Sequence, residues 1–319
     1  MISVVIPLCN ERESLPQLHA EIQAVAAAAR LDLEVIFVDD GSGDGSWDTV
    51  AELARKHAWV HGIRFRRNFG KAAALSAGFK AARGDLVLTL DADLQDDPKE
   101  IPRFLEAVGG GLDVVSGWKQ VRLDPWHKTM PSKVFNGLVG WLTGVRLHDH
   151  NCGFKCYRAE VLREVRLYGE LHRFVPVLAA ARGFKVGEIA VEHRPRRFGH
   201  SKYGVRRFVK GFLDLLTVKF LTGFRQRPQH LLGSIGLLAF ALGLVGMAYL
   251  TVTWLVNWFA PESFLPLHQR PLLIYSVAAL LLGAQMMSIG FLAELITAYQ
   301  VGDEHSYSIA ERTPGEKPA

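Results

Sequence analysis

The chain has 319 residues, 49% of them hydrophobic, 22% charged and 10% aromatic, with a formal net charge of +5. That apolar content excludes a disordered chain, and the length accommodates one large domain with further segments. Three cysteines, Cys9, Cys152 and Cys156, make neither a disulfide framework nor a zinc-knuckle spacing, which fits a reducing, cytosolic setting for the soluble part.

The first two hundred residues alternate strands and helices. SVVIPL (3–8) reads as a strand, and Asn10, Glu11, Arg12 and Glu13 follow it too soon for a signal peptide. A helix is expected over Leu15 to Ala29 and a buried strand over 34–40. After the turn GSGDGS come a helix from Trp47 to Lys56, a strand over 60–65 and a helix from Lys71 to Ala82. Strands over 85–92 and 113–118 complete the pattern. Continuous apolar strands in such alternation predict an α/β domain with a mainly parallel sheet covered on both faces. Ligands of such sheets bind beyond the carboxyl ends of the strands. Polar residues gather there: Asn10 and Glu11 after the first strand, Asp39 and Asp40 ending the second, Asn68 after the third, Asp91 and Asp93 ending the fourth.

The turn after the second strand is spaced G-x-G-x-G and preceded by two aspartates. This speaks against a dinucleotide fingerprint, and no Walker sequence is present. Aspartates at a strand end accept hydrogen bonds from a base and a ribose instead. In Asp91-Ala-Asp93-Leu-Gln95-Asp96-Asp97, oxygen ligands at alternate positions suit a hard divalent cation that retains waters and binds substrate phosphates. A calcium loop needs a glycine at its sixth position and flanking helices, and this segment has neither. A solvated turn before a helix begun by Pro98 accounts for Asp96 and Asp97, but not for acids at the mouth of the sheet.

Beyond the fifth strand, Lys119, Arg122, Lys128 and Lys133 mix with Trp118, Trp126 and Pro131 in a basic, aromatic loop. Such a loop binds a phosphate, binds headgroups nonspecifically, or is simply solvated. His148, His150 and His193 lack metal-ligand spacing and read as structural. Cys152 and Cys156 read as buried small apolar residues rather than a redox pair. From Val205 to Phe220 apolar residues recur at helical spacing with Arg206, Arg207 and Lys210 on other faces. That helix lies in a membrane interface or packs on the domain. Lys, Arg, Asp and Glu are then absent from Pro228 to Pro261 and again from Pro271 to Ala293. Both runs are long enough to cross a bilayer; a hairpin buried in a dimer interface is the alternative. Seven basic residues against Asp214 between Ser201 and Pro228 place the N-terminal domain in the cytoplasm by the positive-inside rule. The loop from Glu262 to Arg270 then lies outside and the tail inside, with Trp254 and Trp258 at the outer interface. Gly233, Gly236, Gly243 and Gly283 let helices approach closely, within one chain or between chains of a homo-oligomer.

The motifs IPLCNE (6–11), VDDGSGDGS (38–46), RNFGKAAALSAGF (67–79), LDADLQDDP (90–98), GFKCYR (153–158) and RRFGHSKYG (196–204) together resemble family 2 glycosyltransferases of the GT-A fold. Within that family they are similar to the enzymes that load sugars onto polyisoprenyl phosphates. The resemblance spans the soluble domain. It implies a GT-A (Rossmann-like) catalytic domain over 1–199, amphipathic juxtamembrane helices over 200–228, two transmembrane helices over 229–300 and a cytoplasmic tail over 301–319. The expected place is the inner cell membrane.

The resemblance also assigns roles. Pro7, Asn10, Glu11, Asp39, Asp40, Ser42, Lys71 and Asp91 would hold the nucleotide. Asp91, Asp93 and Gln95 would arrange Mg²⁺ or Mn²⁺ and the diphosphate. Arg197 and Lys202 would join Asp93 in catalysis by closing over the donor, and Lys119, Arg122 and Ser132 would take the acceptor phosphate. A lipid phosphate is largely dianionic at neutral pH, so inverting displacement needs no base. HDHNCGFK, where hydroxyl-glycosylating relatives carry a carboxylate base, departs accordingly; Asp149 is a positioning residue or a turn cap. The expected donor is UDP-glucose, with GDP-mannose the alternative. Membrane lipids are expected partners and nucleic acid is not. A processive polysaccharide synthase would need more membrane helices and a Q-x-x-R-W motif. A non-catalytic nucleotide-sugar-binding subunit would not need the acidic cluster.

Overall fold

The computed structural model describes residues 1–120, 126–165, 171–195, 228–260 and 264–300, together with 211, 213–215 and 217–219. It divides into two compact units, Met1–Thr222 and Gly223–Ala319.

The first unit is built on seven strands: β1 (Ile2–Leu8), β2 (Leu33–Asp39), β3 (Val60–Arg64), β4 (Leu86–Thr89), β5 (Val114–Lys119), β6 (Lys155–Arg158) and β7 (Val186–Val191). Their order is β3-β2-β1-β4-β6-β5-β7. All pairings are parallel except those of β6, which runs antiparallel to both β4 and β5. The helices are α1 (Leu15–Ala29), α2 (Ser46–Lys56), α3 (Lys71–Ala81), α4 (Ile101–Gly109), α5 (Trp126–Thr143), α6 (Ala159–Glu164) and α7 (Val175–Ala181).

Strand alternation sorts the core into two layers. Val4, Ile6, Val35, Phe37 and Leu88 face α1, α2 and α4 through Leu18, Ile22, Val50, Ile101 and Phe104. Val5, Ile36, Val38 and Val87 face α3 through Ala74 and Leu75. Full burial of each such side chain is worth about 1.5–3 kcal/mol. The chain order reverses at β1, which has β2 on one side and β4 on the other. This opens a crevice at the carboxyl ends of those two strands.

The sequence expectation included neither β7 nor α6 and α7, and it differs from the structure elsewhere. The fourth strand stops at Thr89. Leu94, 2% exposed, then takes a left-handed φ of 59°, so Asp91 and Asp93 stand on a turn beyond the strand. The expected loop after β5 becomes helical at Trp126. Finally β6 enters the sheet between β4 and β5, with Cys156 facing one core layer and Tyr157 the other. Pro98 opens a short 3₁₀ turn capped by Asp97, whose Oδ1 accepts from the Lys99 N–H at 2.9 Å, and α4 follows.

The amphipathic segment falls largely outside the described residues. Within it, Leu215 and Val218 are buried against Val139, Phe174 and Val177, while Leu213 is 56% exposed.

The second unit is a hairpin of two helices, α8 (Pro228–Phe259) and α9 (Pro271–Gln300). Their apolar spans cover 31 and 26 residues with mean hydropathy 2.2 and 1.9. At 1.5 Å per residue both exceed the ~30 Å hydrocarbon core. Only 11% of each most apolar window is buried within the chain, so neither is a core helix of this fold. Glycines set the contact between them. A Cβ on Gly283 would stand 2.5 Å from the Phe240 nitrogen, and one on Gly243 would stand 2.7 Å from the Leu280 nitrogen. Gly236, Gly243 and Gly283 therefore serve packing within the chain. Gly233 meets only Gln229 of its own helix.

Candidate active site

The mouth of the sheet begins with β1 and β2. Asn10 turns the chain after β1 at φ 60°. Its N–H donates to Ser42 Oγ at 2.9 Å, and its Oδ1 accepts from the Gly43 N–H at 3.0 Å. The Glu11 N–H donates to Ser46 Oγ at 2.9 Å. The loops after the two strands are thus stitched into one shelf, with Pro7 in β1 beneath it. Asp39 is fully buried: Oδ1 accepts from the Ser42 N–H at 2.9 Å, and Oδ2 lies 3.7 Å from Arg64 Nε without a hydrogen-bond partner. Asp40 works on the neighbouring loop, accepting from the N–H groups of Phe69 at 2.6 Å and Gly70 at 2.9 Å. Gly41 has φ 73°, and a Cβ there would come within 2.6 Å of the Arg67 carbonyl carbon, so no side chain fits.

The acidic turn lies next to this shelf. Asp91 is ion-paired with Lys71 at the start of α3. Burial acts to raise its pKa, but the adjacent ammonium prevails and holds the carboxyl down to about 2. Gly153 makes the space for it: a Cβ at that position would stand 2.5 Å from Asp91 Oδ2. Asp93, 7% exposed, accepts from the Gln95 N–H at 3.2 Å. Asp96 is 1% exposed; Lys119 Nζ approaches its Oδ1 at 2.8 Å, whereas Oδ2 has no hydrogen-bond partner. Burial opposes the charge on Lys119, but Asp96 outweighs it and the pKa is raised.

Lys71 and Lys119 thus both reach the acidic turn, one at Asp91 and the other at Asp96, bringing together residues expected to serve donor and acceptor. Ser132 lies on α5. Arg122, Arg197 and Lys202 lie outside the described residues. Asp149 is buried, and its Oδ1 accepts from the Asn151 N–H at 3.0 Å as a turn cap. Cys152 and Cys156 are unbonded and buried, with thiols pushed up to about 12 by burial.

Three residues at the site were not foreseen. Lys155, 3% exposed, directs its ammonium to the carbonyls of His150 and Cys152. Burial lowers its pKa. His172, on a 3₁₀ turn over Leu171–Phe174, is kept neutral by burial and by the charge of Lys71, its pKa pushed down to about 2. Arg194 pairs with Glu21 at 2.7 Å and with Asp97, while its N–H donates to the Gln95 carbonyl at 2.9 Å. The stretch after β7 is thereby tied to the acidic turn. Of the three, only Lys155 carried a sequence signal, its place in the motif GFKCYR (153–158).

The donor set suits a hard divalent ion: carboxylates at alternate positions and a buried Asp96 carboxylate oxygen without a hydrogen-bond partner. Among the described residues no group of three or more His, Cys, Asp or Glu forms a complete metal cage. Asp91 and Asp93 would hold such an ion only with phosphate oxygens and water, as Mg²⁺ sites commonly do.

A mostly parallel sheet of this order, with an acidic turn at its switch point, defines a GT-A-like fold. A glucosyl-3-phosphoglycerate synthase from Mycobacterium tuberculosis, solved with Mn²⁺, UDP and phosphoglyceric acid, shares that fold. Its TM-score is 0.55 at 17% identity, covering 70% of this chain and 78% of that one. Residues 3–166 match Glycosyl transferase family 2. A dodecaprenyl-phosphate galacturonate synthase from Rhizobium johnstonii is 38% identical over 96% of this chain and 90% of its own length. An undecaprenyl-phosphate 4-deoxy-4-formamido-L-arabinose transferase from Edwardsiella ictaluri is 36% identical over 92% and 88%. The chain belongs to glycosyltransferase family 2, within its polyprenyl-phosphate glycosyltransferases.

Proposed function

We propose that the protein transfers one sugar from a UDP-linked donor to a polyprenyl phosphate at the cytoplasmic face of the inner membrane, with inversion. The observation that carries this reading is the acidic turn Asp91–Asp97, set at the sheet's switch point and approached by Lys71 and Lys119. Pro7, Asn10, Glu11, Asp39 and Ser42 form the nucleoside shelf, where the unpartnered Asp39 oxygen accepts from the base. Asp40 keeps the Asn68–Lys71 loop in place. Lys71 exchanges Asp91 for the donor diphosphate. Asp91, Asp93 and Gln95 would hold Mg²⁺ or Mn²⁺, which would supply neutralisation of the leaving group. Arg197 and Lys202 close over the donor, and Lys119, Arg122 and Ser132 orient the acceptor phosphate. That phosphate, with a second pKa of about 6, arrives deprotonated, so this chain's task is positioning and charge stabilisation. Domain limits of 1–199, 200–228, 229–300 and 301–319 complete the reading.

UDP-glucose is the first donor to test, supported by the UDP-glucose bound in a solved neighbour. The Rhizobium relative's name supports a galacturonate donor as the second. The test is transfer of label to the organic phase by the purified full-length protein with undecaprenyl phosphate, Mg²⁺ or Mn²⁺, and each donor, GDP-mannose included. Asp93→Asn is expected to lower transfer by about 10³-fold while the protein stays in the membrane. Undiminished transfer by that variant, or transfer by the wild type without a divalent ion, would overturn the mechanism. Label released only as free sugar would overturn the acceptor.

A further inference from the structure

The loop end of the α8–α9 hairpin holds a cavity of about 290 Å³ lined by Trp254, Asn257, Leu265, His268 and Arg270 among others. The glycosyl-transfer site does not use it. Arg270 is the only Lys or Arg between Arg227 and Arg312. Its guanidinium is held in place: Nη1 donates to Thr253 Oγ1 at 2.7 Å, and its carbon stands 5.5 Å from the centre of the Phe264 ring. Thr253 is itself only 3% exposed. Among the described residues no carboxylate pairs with Arg270, and its fork carries further N–H donors besides the one given to Thr253. The opposite wall is equally fixed. Asn257 Nδ2 donates to the Phe264 carbonyl and its Oδ1 accepts from the Phe264 N–H, both at 2.8 Å.

An arginine held in place between two long apolar spans, with no carboxylate partner among the described residues, sits where hydrocarbon meets headgroups, and its partial desolvation strengthens its attraction for an anion. The guanidinium fork matches phosphate oxygens in pairs. Helix α9 begins at Pro271, immediately after it, and adds the positive end of its dipole. His268 offers a further ring nitrogen, and Trp254 and Trp258, with rings 6.0 Å apart, mark the interfacial level.

We propose that this cavity binds the phosphodiester headgroup of an anionic phospholipid, whose acyl chains follow the exposed apolar faces at Leu255 and Ile274. Charge complementarity selects the phosphate, and the apolar surround selects a lipid over a free anion. The proposal rests on the hairpin spanning the membrane.

The test uses full-length protein purified in an uncharged detergent. Native mass spectrometry counts the phosphatidylglycerol retained, and melting curves are taken with added phosphatidylglycerol or inorganic phosphate. Wild type is expected to retain the lipid and to melt higher with it, but not with phosphate. Arg270→Gln should reduce lipid affinity roughly tenfold, the loss of a charge-assisted phosphate contact. Arg270→Lys, which preserves the charge without the fork, should fall between. Equal retention by wild type and both variants would overturn the proposal, as would equal stabilisation by inorganic phosphate, which would mark a free-anion site. Alkaline washing of membranes is the control. Wild type and variants should resist it, whereas a wild type released by the wash would overturn the spanning reading and the proposal with it.

Discussion

Gly153 illustrates how narrowly individual residues are constrained at this site. Asp91 occupies the volume that a side chain at 153 would fill, and Thr89 Oγ1 holds the Gly153 carbonyl at 2.7 Å, so the loop cannot simply retreat. Gly153→Ala is expected to displace Asp91 and lower kcat/KM by about 10²-fold. Melting temperature, measured alongside, should change by only a few degrees. Two buried histidines give a pH signature of folding instead. His19 is 4% exposed and stacked 4.9 Å from Trp59; burial, then the neighbouring His57, lowers its pKa. His150 is pushed down to about 4 by burial and then by Lys155. His150 therefore stays neutral in the fold as pH falls toward about 4, and the lowering at His19 acts in the same direction, while the unfolded chain protonates near pH ~6.5. Their contribution is complete above that pH and declines as pH falls, for His150 toward about 4 and by up to about 1.4 kcal/mol per unit, with His19 adding in the same sense. Melting curves between pH 7.5 and 5 check this, and His19→Phe should flatten the slope.

Elements were legible where their pattern is self-sufficient. β1 and β2 are continuous apolar runs whose residues alternate between two covered layers, and α1 runs over Leu15–Ala29 as its sequence indicates. The acidic turn was legible as chemistry, but its strand was drawn too long. A left-handed residue at Leu94 carries no marker when the residue is not glycine. β6 was illegible because four residues, Lys-Cys-Tyr-Arg, bear no apolar run; neighbours on both sides make it a strand. The same dependence hid His172 and Arg194, whose partners lie far away in the chain. In the hairpin the small residues marked close helix packing, and the structure resolves it as a contact within the chain. Gly283→Val would drive a side chain into the Phe240 backbone and should cost about 1–3 kcal/mol, read as a lower melting temperature in detergent.

At the scale of the molecule, a water-facing sheet unit and an apolar hairpin follow one another in a single chain. Basic residues crowd the approach to α8, so the hairpin's loop should lie on the outer face. A cysteine replacing Leu265 should react with an impermeant maleimide in intact cells, whereas one replacing Ser308 should react only after permeabilisation. The opposite pattern would invert the topology.

The attachment of Arg194 to Glu21, Asp97 and the Gln95 carbonyl has a kinetic corollary. Lys202 follows eight positions later, so at no more than ~3.6 Å per residue it stays within about 29 Å of that anchor. Under the proposed function, a cation joined to the anchor by so few residues would meet the donor at an effective concentration on the order of millimolar. Charge delivery from Lys202 to the leaving group would then be an intramolecular encounter limited by the length of this connection. Splicing glycine-serine repeats between Pro195 and Arg196 should slow turnover progressively, about as the −3/2 power of that length, and should leave the unfolding temperature of the sheet unit where it was.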